Sequence, residues 1–144
     1  MHMVRLIYVS TMTDACDTEA LQDILSASKK NNAERGISGV LCYDPAFFMQ
    51  CLEGPRDAVN EIYSRITSDE RHKNITLLEY TEVDGRLFEN WTMGFLRPNI
   101  LDKETLAKYT TTGRVNPHAL KAEQARNFLL DLVEQQRRQS APNM

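Results

Sequence analysis

The run Phe47-Phe48-Met49-Gln50-Cys51-Leu52 is nearly all apolar and carries a single amide in its middle. Bounded by the turn Asp44-Pro45-Ala46, it reads as a strand, and alternation puts Phe48, Gln50 and Leu52 on one face. Gln50 therefore points where two large apolar side chains point. An amide has two donors and an acceptor to satisfy, and leaving them unpaired in a core costs about 1–3 kcal/mol. The layer over this strand must hold a polar partner. A glutamine bonded to backbone or water would meet that need, so Gln50 alone does not separate structure from function.

The surrounding pattern supplies a more specific partner. Residues 4–9 (VRLIYV) form a strand by β-branched and aromatic content. A helix follows from Asp17 or Thr18, which offer capping oxygens; Leu21, Ile24, Leu25 and Ser28 make its stripe, and it ends near Asn31-Asn32, before Gly36. Residues 37–43 are a second strand and residues 47–52 the third. Pro55 opens a second helix at its first position, with Val59, Ile62, Tyr63 and Ile66 on its buried face. Residues 75–83 and 93–96 are the fourth and fifth strands.

This is an α+β, ferredoxin-like βαββαβ order plus a fifth strand, which predicts a mixed sheet with two helices on one face. Right-handed crossovers place the first and third strands side by side, and parallel, at the sheet centre. Tyr8 shares a face with Leu6, and Gln50 with Phe48. Both then point into the helix-covered layer from adjacent strands, a phenol within reach of an amide. Further polar side chains join them: Ser28, Asn31 and Asn32 at the end of the first helix, and Arg65, Asp69 and His72 at the end of the second. Singly they read as a helix terminus and an i,i+4 ion pair between Arg65 and Asp69. Together they outline a slot floored by Tyr8 and Gln50 and walled by Ile24 and Ile66, suited to a flat heterocycle.

Composition restricts the alternatives. The 144 residues suit one domain, and 42% hydrophobic with 26% charged residues is ordinary for a globular protein. No run has the roughly 18 apolar residues of a membrane span, and no signal peptide opens the chain, so a cytoplasmic setting without membrane contact is expected. A net charge of −3 argues against a nucleic-acid partner held through phosphates. Cys16, Cys42 and Cys51 lack CxxC spacing and read as reduced core thiols. His2, His72 and His118 are scattered and outline no metal site.

Six segments carry a family resemblance: RLIY (residues 5–8), Asn31-Asn32, GISGVLCY (36–43), FFMQCLEG (47–54), RITSDERH (65–72) and FENWTM (88–93). Over about residues 4–97 the chain resembles the BLUF family, blue-light sensors using FAD. The resemblance implies the fold reached above, with FAD bound non-covalently and its ring between the helices near Ile24 and Ile66. It implies that Gln50 bonds the flavin and Tyr8, that Asn32 bonds the pyrimidine edge with Ser28 and Asn31 beside it, and that Phe48, Arg65, Asp69, Arg71 and His72 complete the pocket. It further implies that Tyr8 reduces the excited flavin transiently. Gln50 then mediates proton movement and is left rotated or tautomerised, while Trp91 and Met93 relay the change. No substrate is turned over, so the chain is expected not to be an enzyme. Thr92 and Ser38 stand where the family commonly has serine and threonine, and Asn31 where some members have histidine.

Beyond Pro98, Asp102 caps a short helix to about Tyr109, and a longer one covers about residues 119–136 with Ala125, Phe128, Leu129, Leu132 and Val133 on one stripe. Residues 117–132 resemble the C-terminal helices of short, stand-alone BLUF proteins of the cyanobacterial PixD type. The division expected is a photosensor domain (residues 3–98), a helical extension (99–138) and a tail (139–144). With no effector domain read in the chain, the signal is expected to leave through an unidentified protein partner or a homo-oligomer. Phe128, Leu129 and Leu132 would meet either the sheet or a neighbouring copy. Two other classes compete. A ferredoxin-like acylphosphatase would need a glycine-rich loop after the first strand, and residues 10–16 hold no glycine. A small-ligand regulatory module without photochemistry would share the slot but would not require Tyr8.

Overall fold

The computed structural model describes residues 2–14, 17–89, 91 and 94–140. Strand β1 (Met3–Met12) leads to helix α1 (Thr18–Arg35), then β2 (Ser38–Asp44), β3 (Phe47–Pro55), α2 (Arg56–Thr67), β4 (His72–Val83) and β5 (Gly94–Leu96). A short helix α3 (Lys103–Leu106) and a long one, α4 (Ala122–Ser140), complete the chain, with 3-10 turns at Pro98–Ile100 and Pro117–Ala119.

Local chemistry sets the boundaries. The Asp17 carboxylate accepts from the Ala20 N–H, 2.8 Å, and starts α1. The helix passes the Asn31-Asn32 end read from sequence and runs to Arg35. Gly36 is the first residue that takes the left-handed conformation easily, φ 72°, and its N–H closes on the Asn32 carbonyl. Pro55 precedes α2 as its N-cap rather than opening it. β3 continues past Leu52 because Glu53 and Gly54 still pair with Arg5 and Val4. β4 begins three residues before Ile75, since His72 and Lys73 pair with Met12 and Thr11. Asp102 caps α3 by accepting from the Thr105 N–H, while α4 starts at Ala122, after the 3-10 turn, and extends beyond Gln136.

The five strands form one sheet in the order β4-β1-β3-β2-β5. β1 and β3 are central neighbours, as expected, but they are antiparallel. The α1 crossover returns the chain so that β2 runs with β1, and the tight β2–β3 turn then reverses it. β5 pairs parallel to β2, giving the mixed sheet.

Alternation sorts the sheet into two cores. Val4, Leu6, Tyr8, Phe48 and Leu52 face α1 and α2 with Leu21, Ala58 and Val59. Ile7, Val9, Cys42, Met49 and Cys51 face the opposite way, under α4. There Phe128, Leu129 and Leu132 are each fully buried, so the sheet takes these side chains and leaves none of them for a second copy. Cys42 and Cys51 are free, buried thiols, opposite Met49 and Val40 rather than each other. Cys16 lies outside the described residues.

One buried charge organises the end of the second core. Glu53 is fully buried and accepts from Arg5 Nε at 3.0 Å and from the Leu87 and Phe88 N–H groups at 2.9 Å. Arg86 secures the same loop by donating to Ser38 Oγ and to the Glu53 and Gly36 carbonyls. Replacing Glu53 with Ala strands Arg5 and two backbone donors together. The expected loss is about 3–5 kcal/mol, measured by urea unfolding; a loss below about 1 kcal/mol would show that water replaces the carboxylate.

Candidate functional site

Tyr8 and Gln50 are direct partners in the β1–β3 register, and the Tyr8 hydroxyl donates to Gln50 Oε1 at 2.5 Å. That contact is at the short end for an O–H···O bond. Both residues are buried, Tyr8 completely. The phenol stands near Phe48, Tyr63 and His72, with ring centroids 6.2, 5.6 and 6.3 Å away. Burial pushes its pKa well above the usual value, and the neighbouring Tyr63 and Asp69 push the same way. The proton therefore stays on Oη and keeps the hydrogen bond directed at Gln50.

Above this pair lies a cleft open to solvent. Ile24, Ala27, Ser28, Asn31 and Asn32 come from one face of α1, at the three- and four-residue spacing that stacks them. Ile62, Arg65 and Ile66 come from α2, while Tyr8, Phe48 and Gln50 form the floor. Asp69 and Arg71, between α2 and β4, and His72, the first residue of β4, complete the lining. Twelve side chains read from the sequence thus converge.

Two lining residues, Ala27 and Ile62, were not assigned to the slot. Ala27 carries no chemical signal, and Ile62 was legible only as part of the α2 stripe. Ser10 was missed too, although it shares the face of Tyr8 by period two. It is buried, and its Oγ lies 2.8 Å from His72 Nδ1. His72 also presents its edge to Phe48, centroids 4.9 Å apart. Burial lowers its pKa, against the opposing pull of Asp69, so the imidazole is neutral at pH 7.

The ion pairs differ from the sequence reading. Arg65 bonds Glu61 at 2.7 Å, one turn earlier, and Glu61 also meets Arg35 at 2.8 Å. Asp69 is held by Arg71, with Nε to Oδ1 at 2.9 Å and Nη2 to Oδ2 at 2.5 Å. The Arg71 hydrogen bond keeps the Asp69 carboxyl below the usual range. Trp91 does not line the cleft. Its ring packs with the opposite core, under α4, over Gly94, where an added Cβ would fall 1.7 Å from the indole. Met93 lies outside the described residues.

The fold is that of a ferredoxin-like α+β domain, with a cleft of apolar walls and polar rim between α1 and α2. The profile of the family described as BLUF, sensors of blue-light using FAD, matches residues 3–94. The chain belongs to this family. The photoactivated adenylate cyclase subunit alpha of Euglena gracilis is 32% identical over 91 residues, 62% of this chain and 9% of its own length. The blue light- and temperature-regulated antirepressor BluF of Escherichia coli strain K12 is 33% identical over 86 residues, 60% of this chain and 21% of its own. The chain thus spans only a minor part of these curated relatives. The solved structure of BlsA in its photo-activated state superposes with a TM-score of 0.79 at 29% identity, covering 99% of this chain and 98% of that one. That likeness includes the C-terminal helices.

The raised Tyr8 pKa has a testable consequence. A phenol more easily deprotonated in the unfolded chain than in the fold stabilises the fold below about pH 10 and loses that contribution as pH rises through its folded value. The tyrosinate absorbance of native protein minus that of Tyr8→Phe should stay flat through about pH 10 and rise only with unfolding. A step near pH 10 in folded protein would place Tyr8 in contact with water.

Proposed function

We propose that the protein is a blue-light receptor that holds FAD non-covalently in the α1–α2 cleft and signals by rearranging the Tyr8–Gln50 hydrogen bond. The observation that carries this reading is that bond itself, buried in an apolar layer and forming the cleft floor. The residues suit the cofactor. Ile24 and Ala27 from one helix and Ile62 and Ile66 from the other offer apolar faces, while Ser28, Asn31, Asn32, Gln50 and Arg71 offer polar atoms for a ring edge.

Bound FAD would supply a blue-absorbing ring whose excited state readily oxidises a nearby phenol. Tyr8 holds its proton at Oη in the dark and directs it at Gln50 Oε1. Gln50 is the switching group, because an amide turned end over end, or converted to its tautomer, exchanges donor for acceptor at the same place. Asn32, buried to 2% exposure and lining the cleft, would hydrogen-bond a polar edge of the ring. Arg65 and the Asp69–Arg71 pair define the rim, and neutral His72 braces Phe48 beneath. Nothing in this sequence of events consumes a substrate; the product is an altered hydrogen-bond network, the pattern of a ligand switch.

The signal then passes to a protein partner. Trp91 and Met93 are proposed as relay residues: the Trp91 carbonyl accepts from the Gly39 N–H at 2.8 Å, and the Trp91 ring packs on the α4 side. Trp91 thereby links β2 to the C-terminal helices.

Purified protein should be yellow and should shift its flavin absorption to longer wavelength under blue light. Tyr8→Phe and Gln50→Leu keep most of the packing, and each removes about 0.5–1.5 kcal/mol of net hydrogen bonding. Both variants should retain flavin, with affinity reduced about tenfold at most, and both should lose the shift. A normal shift in either variant would refute the mechanism, and a colourless protein unable to take up added FAD would refute the receptor.

A further inference from the structure

The sheet carries a second, partly buried charge pair behind the switch. In the β1–β4 ladder Ile7 pairs with Glu79 but Tyr8 pairs with Leu77. Leu78 is thus an extra residue, a β-bulge located at Tyr8. Bulges break a ladder locally and bend the bulged strand; the β1–β4 ladder shifts here and again between Val9 and Thr11, so β4 is irregularly registered where it lies beside the phenol.

Glu79, next to the bulge, reaches α4. Its Oε1 lies 2.9 Å from Arg126 Nε, with the two side chains 10% and 34% exposed. Among the described residues this is the ion pair that joins α4 to the sheet. It is poorly made. Glu79 Oε2 and Arg126 Nε are both buried without an aligned hydrogen bond, and the neighbouring Arg5–Glu53 pair is already occupied with loop 84–89. Buried polar atoms are almost always satisfied. One carboxylate oxygen without a partner and one guanidinium nitrogen close to the other oxygen but poorly aligned, on the seam between an irregular strand and a helix, mark a contact that a small strand movement can make or break. The apolar contacts of Ala125, Phe128 and Leu129 hold α4 in either case.

We propose that the Arg126–Glu79 pair is the catch by which the Tyr8–Gln50 switch governs α4. Rearrangement at Tyr8 moves β4 at the bulge, separates Glu79 from Arg126 and loosens the first turns of α4, changing the surface offered to a partner. This rests on the photoreceptor reading above and names its route of regulation.

The test is amide hydrogen exchange on the full-length, FAD-loaded chain, dark and lit, followed in peptides from the first half of α4. In the unmodified protein, light should speed exchange there by about fivefold or more, the lower end of ordinary coupling energies. Glu79→Gln abolishes the ion pair at nearly constant shape. It should keep the flavin photoshift yet bring the light and dark exchange rates of α4 together, and Arg126→Leu should do the same. Arg126→Lys, which keeps the charge, should preserve part of the difference. A purely structural pair would change the absolute exchange rate and leave the light-to-dark ratio alone. An unaltered ratio in both Glu79→Gln and Arg126→Leu, or no ratio above one in the unmodified protein, overturns the catch while the photoshift stands. Loss of the photoshift in the unmodified protein overturns the receptor reading and the catch with it.

Discussion

A buried phenol facing a buried amide across the two central strands is the constraint around which this protein is arranged. Neither group is satisfied by an apolar core, and each supplies what the other lacks: Tyr8 donates and Gln50 accepts. Their pairing requires β1 and β3 to be neighbours in a register that sets residue 8 opposite residue 50. A one-residue slip of either strand would send its polar group to the α4 face and bring Ile7 or Cys51 to the cleft in its place. The hydrogen bond therefore marks the register on which the cleft floor depends.

The sheet works as a partition. On one side, α1 and α2 stand apart far enough to leave a cleft with apolar walls and a polar rim. On the other, α4 lies on a continuous apolar surface, and the buried residues 125, 128, 129, 132 and 133 seal it. Because side chains alternate, residues that touch the cleft are chain neighbours of residues that touch α4: Tyr8 adjoins Ile7, and Gln50 adjoins Met49 and Cys51. A backbone movement driven from the cleft is felt under α4 without any path through bulk solvent. Arg86, Glu53 and Arg5 clamp the loop that leads towards Trp91 and β5, which limits the freedom of that corner and leaves the bulge beside Tyr8 as the more pliant element.

Much of this was legible in the chain. Periods of two and 3.6 place Tyr8 with Leu6, Gln50 with Phe48, and Ile24 with Ser28, and these placements bring the cleft together because each depends only on neighbours in one element. Strand direction was not legible from the same signal: alternation is identical in parallel and antiparallel ladders, and only the crossover followed by a hairpin decides that β3 opposes β1. Helix α1 outran its expected end because asparagine tolerates a helix interior when a glycine soon after can terminate it. Helical spacing serves only while the helix lasts: α2 ends at Thr67, so Asp69 leaves the Arg65 face and pairs with Arg71, while Arg65 meets Glu61 one turn back. The indole of Trp91 lies on the α4 side, over the missing side chain of Gly94, a contact between loop and strand that periodicity within one element does not define. Ser10 and His72 meet only because β4 starts three residues early.

The proposed switch requires Tyr8 to change its hydrogen bond when the protein absorbs blue light. Infrared light-minus-dark difference spectra of protein carrying ring-13C tyrosine read that change at the phenol itself. The expected result is a tyrosine C–O band that moves between dark and light, shifts with the isotope, and is missing in Tyr8→Phe. A light-induced flavin signal accompanied by no isotope-sensitive tyrosine band would contradict the account.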